Sequence, residues 1–103
     1  MLMAKDLYTG ALLQVYGAFL SDKQREMMTH YFDEDLSLAE IAENEGTTRQ
    51  AVSDIIRRGE ALLKKYEDEC GYQRKVSELK RICESGDNAE SRLKRIAEII
   101  EDF

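Results

Sequence analysis

This sequence of 103 residues contains no proline and only six glycines. Sheet proteins need clustered turn residues between their strands, so the scarcity of both residue types disfavours a β fold. The sequence also has only two cysteines, Cys70 and Cys83, with no histidine near either of them. They fit no usual metal spacing, and a single pair gives no disulfide framework. We therefore expect no bound metal, two reduced thiols and a cytoplasmic location.

Long apolar runs and catalytic motifs are also missing. Asp6, Thr9 and Gln14 interrupt the apolar N-terminal segment, so we predict neither a signal peptide nor a membrane-spanning helix. The single histidine, His30, belongs to no usable catalytic motif, and there is no glycine-rich phosphate loop. We expect a non-enzymatic protein with no cofactor and no small-molecule substrate, in which His30 is a structural residue.

The sequence is instead rich in helix-forming residues, above all Leu, Ala, Glu, Lys, Arg and Ile. A hydroxyl three residues before Glu or Gln can cap a helix start, and this pattern occurs at Ser21–Gln24, Ser37–Glu40 and Thr47–Gln50. Glycine readily adopts the left-handed backbone that ends a helix, which makes Gly46, Gly71 and Gly86 candidate stops. These signals predict an all-α chain with helices over residues 4–19, 22–32, 38–45, 48–70, 73–84 and 88–102.

A chain of this length has room for one modest hydrophobic core. We therefore predict a single domain over residues 1–103. Within it, residues 1–70 would form an N-terminal helix followed by a helix-turn-helix, and residues 71–103 would form a C-terminal helical hairpin.

The helix-turn-helix prediction comes from the stretch Leu36–Arg58. A short helix ends at Gly46, a second begins at Thr48, and the small Ala42 lies where the two helices must approach closely. Both helices have an apolar face for the interior. In such a motif the second helix is the one presented to the major groove of DNA.

The outward residues of that second helix predict a DNA-reading surface. Arg can donate two hydrogen bonds to guanine and Gln to adenine, while Ser and Thr can bond a base edge or a phosphate. Asp54 lies among them and would repel DNA unless it accepts from a cytosine amine. The same residue types also suit an ordinary solvated helix surface. The predicted DNA-binding residues are Thr48, Arg49, Gln50, Ser53, Arg57 and Arg58.

The charge of the chain argues against strong DNA binding. The net charge is −6, and Leu36–Arg58 itself carries four acids against three bases. Phosphate contacts supply most non-specific affinity, so free DNA-binding domains usually have a basic surface. Binding here would be weak, local to a few basic residues, or assisted by a partner or a dimer.

Two of the predicted helices carry more apolar surface than one small core is expected to cover. The second helix of the motif continues its apolar stripe to Tyr66, and the N-terminal helix is apolar on two sides. A second copy of the chain could cover this surface, or the C-terminal helices could fold back over it. We predict a homodimer whose interface contains Leu13, Gly17, Leu20, Leu62, Leu63 and Tyr66.

The run "YGAFLSDKQREMMTHYFDEDLSLAEIAENEGTTRQAVSDIIRRGEALLKKYE" combines these features. It resembles the YlxM family of small bacterial proteins over about residues 8–70, with an aromatic first helix, the start "LSDKQ" and the acidic segment "DEDLSLAEIAE". More distantly, it is similar to region four of sigma factors, which reads the promoter's upstream hexamer while held by polymerase. The resemblance implies a three-helix core without a wing, in a protein encoded beside signal recognition particle components and suspected of a regulatory part in that pathway. It implies no demonstrated DNA sequence and no enzymatic activity.

Three functional hypotheses stay open. The chain is a DNA-binding regulator, a non-enzymatic partner of the signal recognition particle GTPase or RNA, or a structural dimeric adaptor. DNA reading predicts salt-sensitive duplex binding that Arg49→Ala abolishes. Binding to the particle's components would survive that substitution, and an adaptor would show neither behaviour.

Overall fold

A computed structural model of the chain describes residues 6–103. Every regular element in this range is helical, which confirms the all-α prediction. A short 3-10 turn, Gly17–Phe19, follows the first helix. The six α-helices are α1 (Leu7–Tyr16), α2 (Asp22–Phe32), α3 (Leu38–Glu45), α4 (Arg49–Cys70), α5 (Tyr72–Glu84) and α6 (Ala89–Glu101).

The helices fall into two compact units, Met1–Glu69 and Cys70–Phe103. This division lies one residue before the predicted junction between the helix-turn-helix part and the C-terminal hairpin. The organisation as one domain stays a prediction. None of the described helices is long and apolar enough to cross a membrane.

Two of the predicted capping boxes are present and fix the starts of α2 and α3. Ser21 Oγ accepts from the backbone N–H of Gln24 at 3.1 Å, and Gln24 Oε1 accepts from the backbone N–H of Ser21 at 3.1 Å. Ser37 and Glu40 make the same reciprocal pair at 3.0 and 2.9 Å. Each pair satisfies two backbone donors that would otherwise lack a partner at a helix start.

The third predicted box is wrong by one residue. Thr48, rather than Thr47, caps α4, because its Oγ1 accepts from the backbone N–H of Ala51 at 3.0 Å. The helix consequently begins at Arg49. At the other end of the first unit, Asp6 caps α1, while the predicted helical residues 4 and 5 lie outside the described range.

Glycine ends α3 and follows α4 as predicted, but it does not end α5. Gly46 and Gly71 both have φ of 68°, in the left-handed region that carries a penalty for residues with a Cβ. Gly86 does not have a positive φ. Helix α5 ends earlier, at Glu84, and Ser85 takes up the cap position in an extended conformation.

The core of the first unit is built by α1, α2, α3 and α4. The N-terminal helix packs on α2, and on its other side it meets α4, where the Tyr16 hydroxyl donates to Glu67 Oε1 at 2.6 Å. Helices α2 and α4 approach each other closely at Gly59, where an added Cβ would lie 2.3 Å from Met28 Sδ. The fully or nearly buried apolar side chains are Leu12, Leu13, Tyr16, Leu20, Met27, Met28, Ile41, Ala42, Val52, Ile56 and Leu63.

This packing removes the reason for placing a dimer interface where the sequence suggested it. Leu13, Leu20 and Leu63 belong to the core, Gly17 is buried, and Leu62 and Tyr66 are half-buried against it. Helix α1 is apolar on two sides because α2 and α4 of the same chain cover it. Leu62 and Tyr66 keep part of their surface, whereas the other four predicted interface residues have little left for a partner, and homodimerisation stays a prediction.

The second unit is an antiparallel hairpin of α5 and α6. The Tyr72 ring, at the start of α5, stacks on the Phe103 ring after α6 with centroids 5.5 Å apart. The Lys75 ammonium lies 5.0 Å from the Phe103 centroid and donates to the backbone carbonyl of Asp102. These contacts join the two open ends of the hairpin.

Candidate nucleic-acid interface

The predicted reading residues lie on the surface of the first three turns of α4 and at its cap. Thr48, Arg49, Gln50, Arg57 and Arg58 are exposed, and Ser53 is half-buried. On the opposite side of α4, Val52 and Ile56 enter the core. The helix therefore has one side packed in the core and another exposed, as the recognition helix of a helix-turn-helix requires.

The turn between α3 and α4 is fixed by backbone hydrogen bonds. Gly46 N–H donates to Glu43 O at 3.3 Å, and Thr47 N–H donates to Ala42 O at 3.0 Å. These bonds satisfy carbonyls at the end of α3 and direct the chain sharply into α4. Thr48 uses its oxygen as the cap of α4, but its hydroxyl hydrogen remains able to donate to a phosphate.

Asp54 contacts two of the predicted DNA-binding residues, Gln50 and Arg57, in the middle of the reading surface formed by Thr48, Arg49, Gln50, Ser53, Arg57 and Arg58. Gln50 Nε2 donates to Asp54 Oδ1 at 3.0 Å, and Arg57 Nη2 lies 3.5 Å from the same oxygen. Arg57 Nη2 also donates to Ser53 Oγ at 3.2 Å. The contacts join neighbours three and four positions apart on one helix, where exposed pairs contribute only a few tenths of a kcal/mol each, roughly. Asp54 therefore neutralises this surface without locking it.

Arg49 and Arg58 differ from the residues around Asp54. Neither makes a hydrogen bond or an ion pair with another residue in the described part of the chain. Nine positions on a helix correspond to a rotation of about 180°, so the two arginines lie on opposite sides of the helix axis: Arg49 in the first turn, next to the side of α4 that packs, and Arg58 on the outward side. Each flank of a helix in the major groove faces one of the two phosphate backbones, which is the position where an unpaired arginine is useful.

A second polar cluster lies between α2 and α3. His30 Nδ1 is 2.6 Å from Glu34 Oε1, and His30 Nε2 is 3.8 Å from Glu26 Oε1. The Glu34 hydrogen bond raises the pKa of His30 above its ordinary value, against a smaller opposing effect of burial. Glu45, at the end of α3, accepts from Lys23 Nζ at 3.2 Å, and that bond lowers the pKa of its carboxyl. Sequence reasoning missed this cluster because only the spacing of Glu26, His30 and Glu34, from α2 into the turn that follows it, is local.

A family profile described as "Putative helix-turn-helix protein, YlxM / p13 like" matches residues 3–103. The chain belongs to this family, and the match extends past residue 70, where the resemblance in the sequence ended. A "UPF0122 protein" of Clostridium kluyveri is 50% identical over 66 residues, which are 64% of this chain and 60% of that protein. The match thus covers less than two thirds of that relative's length.

Two other proteins of the same name are similar over more of their length. The one from Symbiobacterium thermophilum is 43% identical over 91 residues, covering 84% of this chain and 85% of that protein. The one from Bacillus thuringiensis is 39% identical over 97 residues, covering 87% and 88%. The names of these relatives state no ligand and no activity.

Proposed function

We propose that this member of the YlxM/p13-like helix-turn-helix family is a non-enzymatic regulator that binds duplex DNA through α4. The observation that carries the proposal is the pair of exposed, unpaired arginines, Arg49 and Arg58, on opposite sides of the helix axis within the first three turns of α4. In this arrangement the two arginines bind phosphate, and Gln50 and Arg57 between them reach the base edges.

The acidity of the chain sets the strength of this binding. With a net charge of −6 there is no long-range attraction to DNA, and Asp54 holds the two side chains best suited to base contacts. Gln50 and Arg57 must exchange their bonds to Asp54 for bonds to bases. Because exposed pairs of this kind are weak, the exchange needs little energy once phosphate contacts have placed the helix in the groove. We therefore expect weak, strongly salt-dependent binding.

The regulatory setting that the family resemblance implies is the signal recognition particle pathway, and we include it in the proposal as the place to look for a target. A second candidate function comes from the same surface. Asp54 and the excess of acids suit a basic partner better than DNA, so α4 could instead dock on the particle's GTPase or, with its arginines, on the particle's RNA. The structural dimeric adaptor has less support, because most of the apolar residues that suggested a second copy are buried in the core.

Titration of labelled random-sequence duplex, followed by fluorescence anisotropy, tests the proposal. It compares the wild type with Arg49→Ala and Arg58→Ala at about 50 mM and about 200 mM salt. The matched control is Arg25→Ala, which removes the same charge from an exposed arginine on α2 that pairs with Asp22 at 2.8 Å. Circular dichroism confirms that each variant is folded.

We expect Arg49→Ala and Arg58→Ala each to weaken duplex binding and to reduce the slope of log K against log salt by about one, as the loss of one phosphate contact requires. The Arg25→Ala control should change both quantities much less. Equal losses in all three variants would mean that only net charge matters, and the proposal would be wrong. Absence of duplex binding at low salt would also refute it.

A further inference from the structure

The polar cluster between α2 and α3 brings together three side chains of the kind that bind metal ions. Glu26 and His30 lie one turn apart on α2, and Glu45 is the last residue of α3. One ligand atom from each of these three residues lies within 4.8 Å of the other two. A tetrahedral ion about 2.1 Å from each donor needs donor separations of about 3.4 Å, which small rotations of the two glutamates would supply.

The histidine is already oriented for such a role by a second carboxylate. Glu34 Oε1 lies 2.6 Å from Nδ1, so the neutral ring carries its proton on that nitrogen and has the lone pair of Nε2 on the side of Glu26. Metal-binding histidines are nearly always held in this way by a carboxylate or a carbonyl on the other ring nitrogen. The arrangement therefore contains a supporting residue as well as three ligands.

We propose that Glu26, His30 and Glu45 bind a divalent transition-metal ion of the Zn²⁺ class, with Glu34 as the positioning residue. An imidazole with two carboxylates suits Zn²⁺ better than Mg²⁺ or Ca²⁺, which prefer oxygen ligands alone. Glu26 is exposed and the other two ligands are half-buried, so water completes the coordination. This proposal is independent of DNA binding by α4.

Lys23 competes with the ion for Glu45. Its ammonium lies 3.2 Å from Glu45 Oε1, and 60% of its side chain is exposed. An exposed ion pair of this kind is weak, so a metal ion that gains three ligands displaces the ammonium or uses the other carboxylate oxygen. Removal of the lysine should consequently strengthen metal binding, an effect that loss of folding cannot imitate.

The ion would connect α2 directly to α3, the first helix of the helix-turn-helix. Because the three ligands come together only in the folded chain, binding stabilises the fold by mass action. Zinc should therefore raise the melting temperature of the protein, by an amount that increases with the free zinc concentration.

The single histidine of this sequence makes the test direct, because its ring resonances are assigned without ambiguity by NMR. Zinc chloride is titrated into the untagged 103-residue chain carrying Cys70→Ser and Cys83→Ser, since both thiols are exposed and would bind zinc themselves. We expect a saturable one-to-one shift of the His30 ring signals, with no comparable shift from magnesium chloride.

Variants assign the ligands. Glu26→Gln and Glu45→Gln should each weaken zinc binding at least about tenfold, Glu34→Gln should weaken it by about tenfold or more, and Lys23→Ala should strengthen it. The control is Glu43→Gln, which removes an exposed carboxylate from α3 outside the cluster and should leave the affinity unchanged. The proposal is overturned if His30 does not respond to millimolar zinc. It is also overturned if Glu26→Gln and Glu45→Gln bind zinc as well as the parent, since the histidine would then bind alone.

Discussion

Replacing Gly59 with alanine should destabilise the chain, although alanine is the better helix former. Gly59 lies on the buried face of α4, and the added Cβ would be 2.3 Å from Met28 Sδ and 3.4 Å from Met28 Cγ. Ordinary contacts between such atoms are about 3.5–4.0 Å, so the sulfur has to move by more than about 1 Å. Met28 is completely buried and has no solvent space to enter.

The size of the loss in the free energy of unfolding follows from two opposing contributions. Overpacking of a filled core costs about 1–3 kcal/mol. Alanine recovers about 1 kcal/mol of helix propensity relative to glycine. The expected net loss is roughly 1 kcal/mol in the free energy of unfolding, with an upper bound of about 2. For a domain of this size, 1 kcal/mol lowers the melting temperature by about 4–8 °C.

Urea and thermal unfolding followed by far-UV circular dichroism measure this loss. The matched control is Gly10→Ala in α1, because an added Cβ at Gly10 meets nothing within 4 Å. The control should stabilise the chain by about 0.5–1 kcal/mol, so the same substitution should have opposite signs at the two positions. If Gly59→Ala stabilised the chain, in the same direction as Gly10→Ala, the close approach of α2 to α4 would be refuted.

Three further substitutions test the turn, the reading surface and the first cap. Gly46→Ala places a Cβ at φ 68° and should cost about 1 kcal/mol in urea unfolding; an unchanged midpoint would contradict the left-handed turn. Asp54→Ala frees Gln50 and Arg57 and removes a negative charge that repels DNA. It should therefore strengthen duplex binding by about fivefold in low-salt anisotropy titrations, whereas weaker binding would show that Asp54 contacts the bases. The pKa of Asp6 is lowered, because Thr9 donates a hydrogen bond to it and Lys64 adds a smaller attraction. Asp6 therefore contributes stability that is complete above the ordinary carboxyl pKa and is lost as the pH falls through the lower folded-state value. Asp6→Asn should therefore lose less stability than the wild type between neutral pH and about pH 3, and equal losses would contradict this role.

Helix boundaries were predictable from sequence where their causes are local. The boxes at Ser21 and Ser37 depend on residues three positions apart, so the sequence predicts them correctly. At Thr47 and Thr48 two consecutive hydroxyls offer alternative caps, and the packing of α4 decides between them. The prediction that Gly86 ends α5 was wrong, because Ser85 already ends this helix in an extended conformation.

Features that depend on contacts between distant residues were not predictable. Two apolar sides on α1 indicate burial between two layers, but they do not show which segments form the layers. In the structure both layers belong to the same chain, so Leu13 and Leu20 enter its core. The approach of Gly59 to Met28, and that of Glu45 to His30, likewise arise only when α2 packs against its neighbours.

The exposure of the reading residues on α4 follows directly from the helical period, but their hydrogen bonds do not. The sequence placed Asp54 on the same face as Gln50 and Arg57, and it indicated the conflict between this acid and DNA. The structure adds that Asp54 binds both side chains, whereas Arg49 and Arg58 stay unpaired among the described residues. If α4 binds DNA as we propose, the binding depends on these two exposed arginines rather than on a broad basic patch.

The central claim is tested most directly by the salt dependence of duplex binding in the wild type and in the double variant Arg49→Ala/Arg58→Ala. The RNA and the GTPase of the signal recognition particle are titrated in parallel. We predict duplex binding that weakens as salt rises, with a slope of log K against log salt that is shallower by about two in the double variant. Binding to the RNA or the GTPase alone, unchanged in the double variant, would contradict the account and would make α4 a docking surface for that partner.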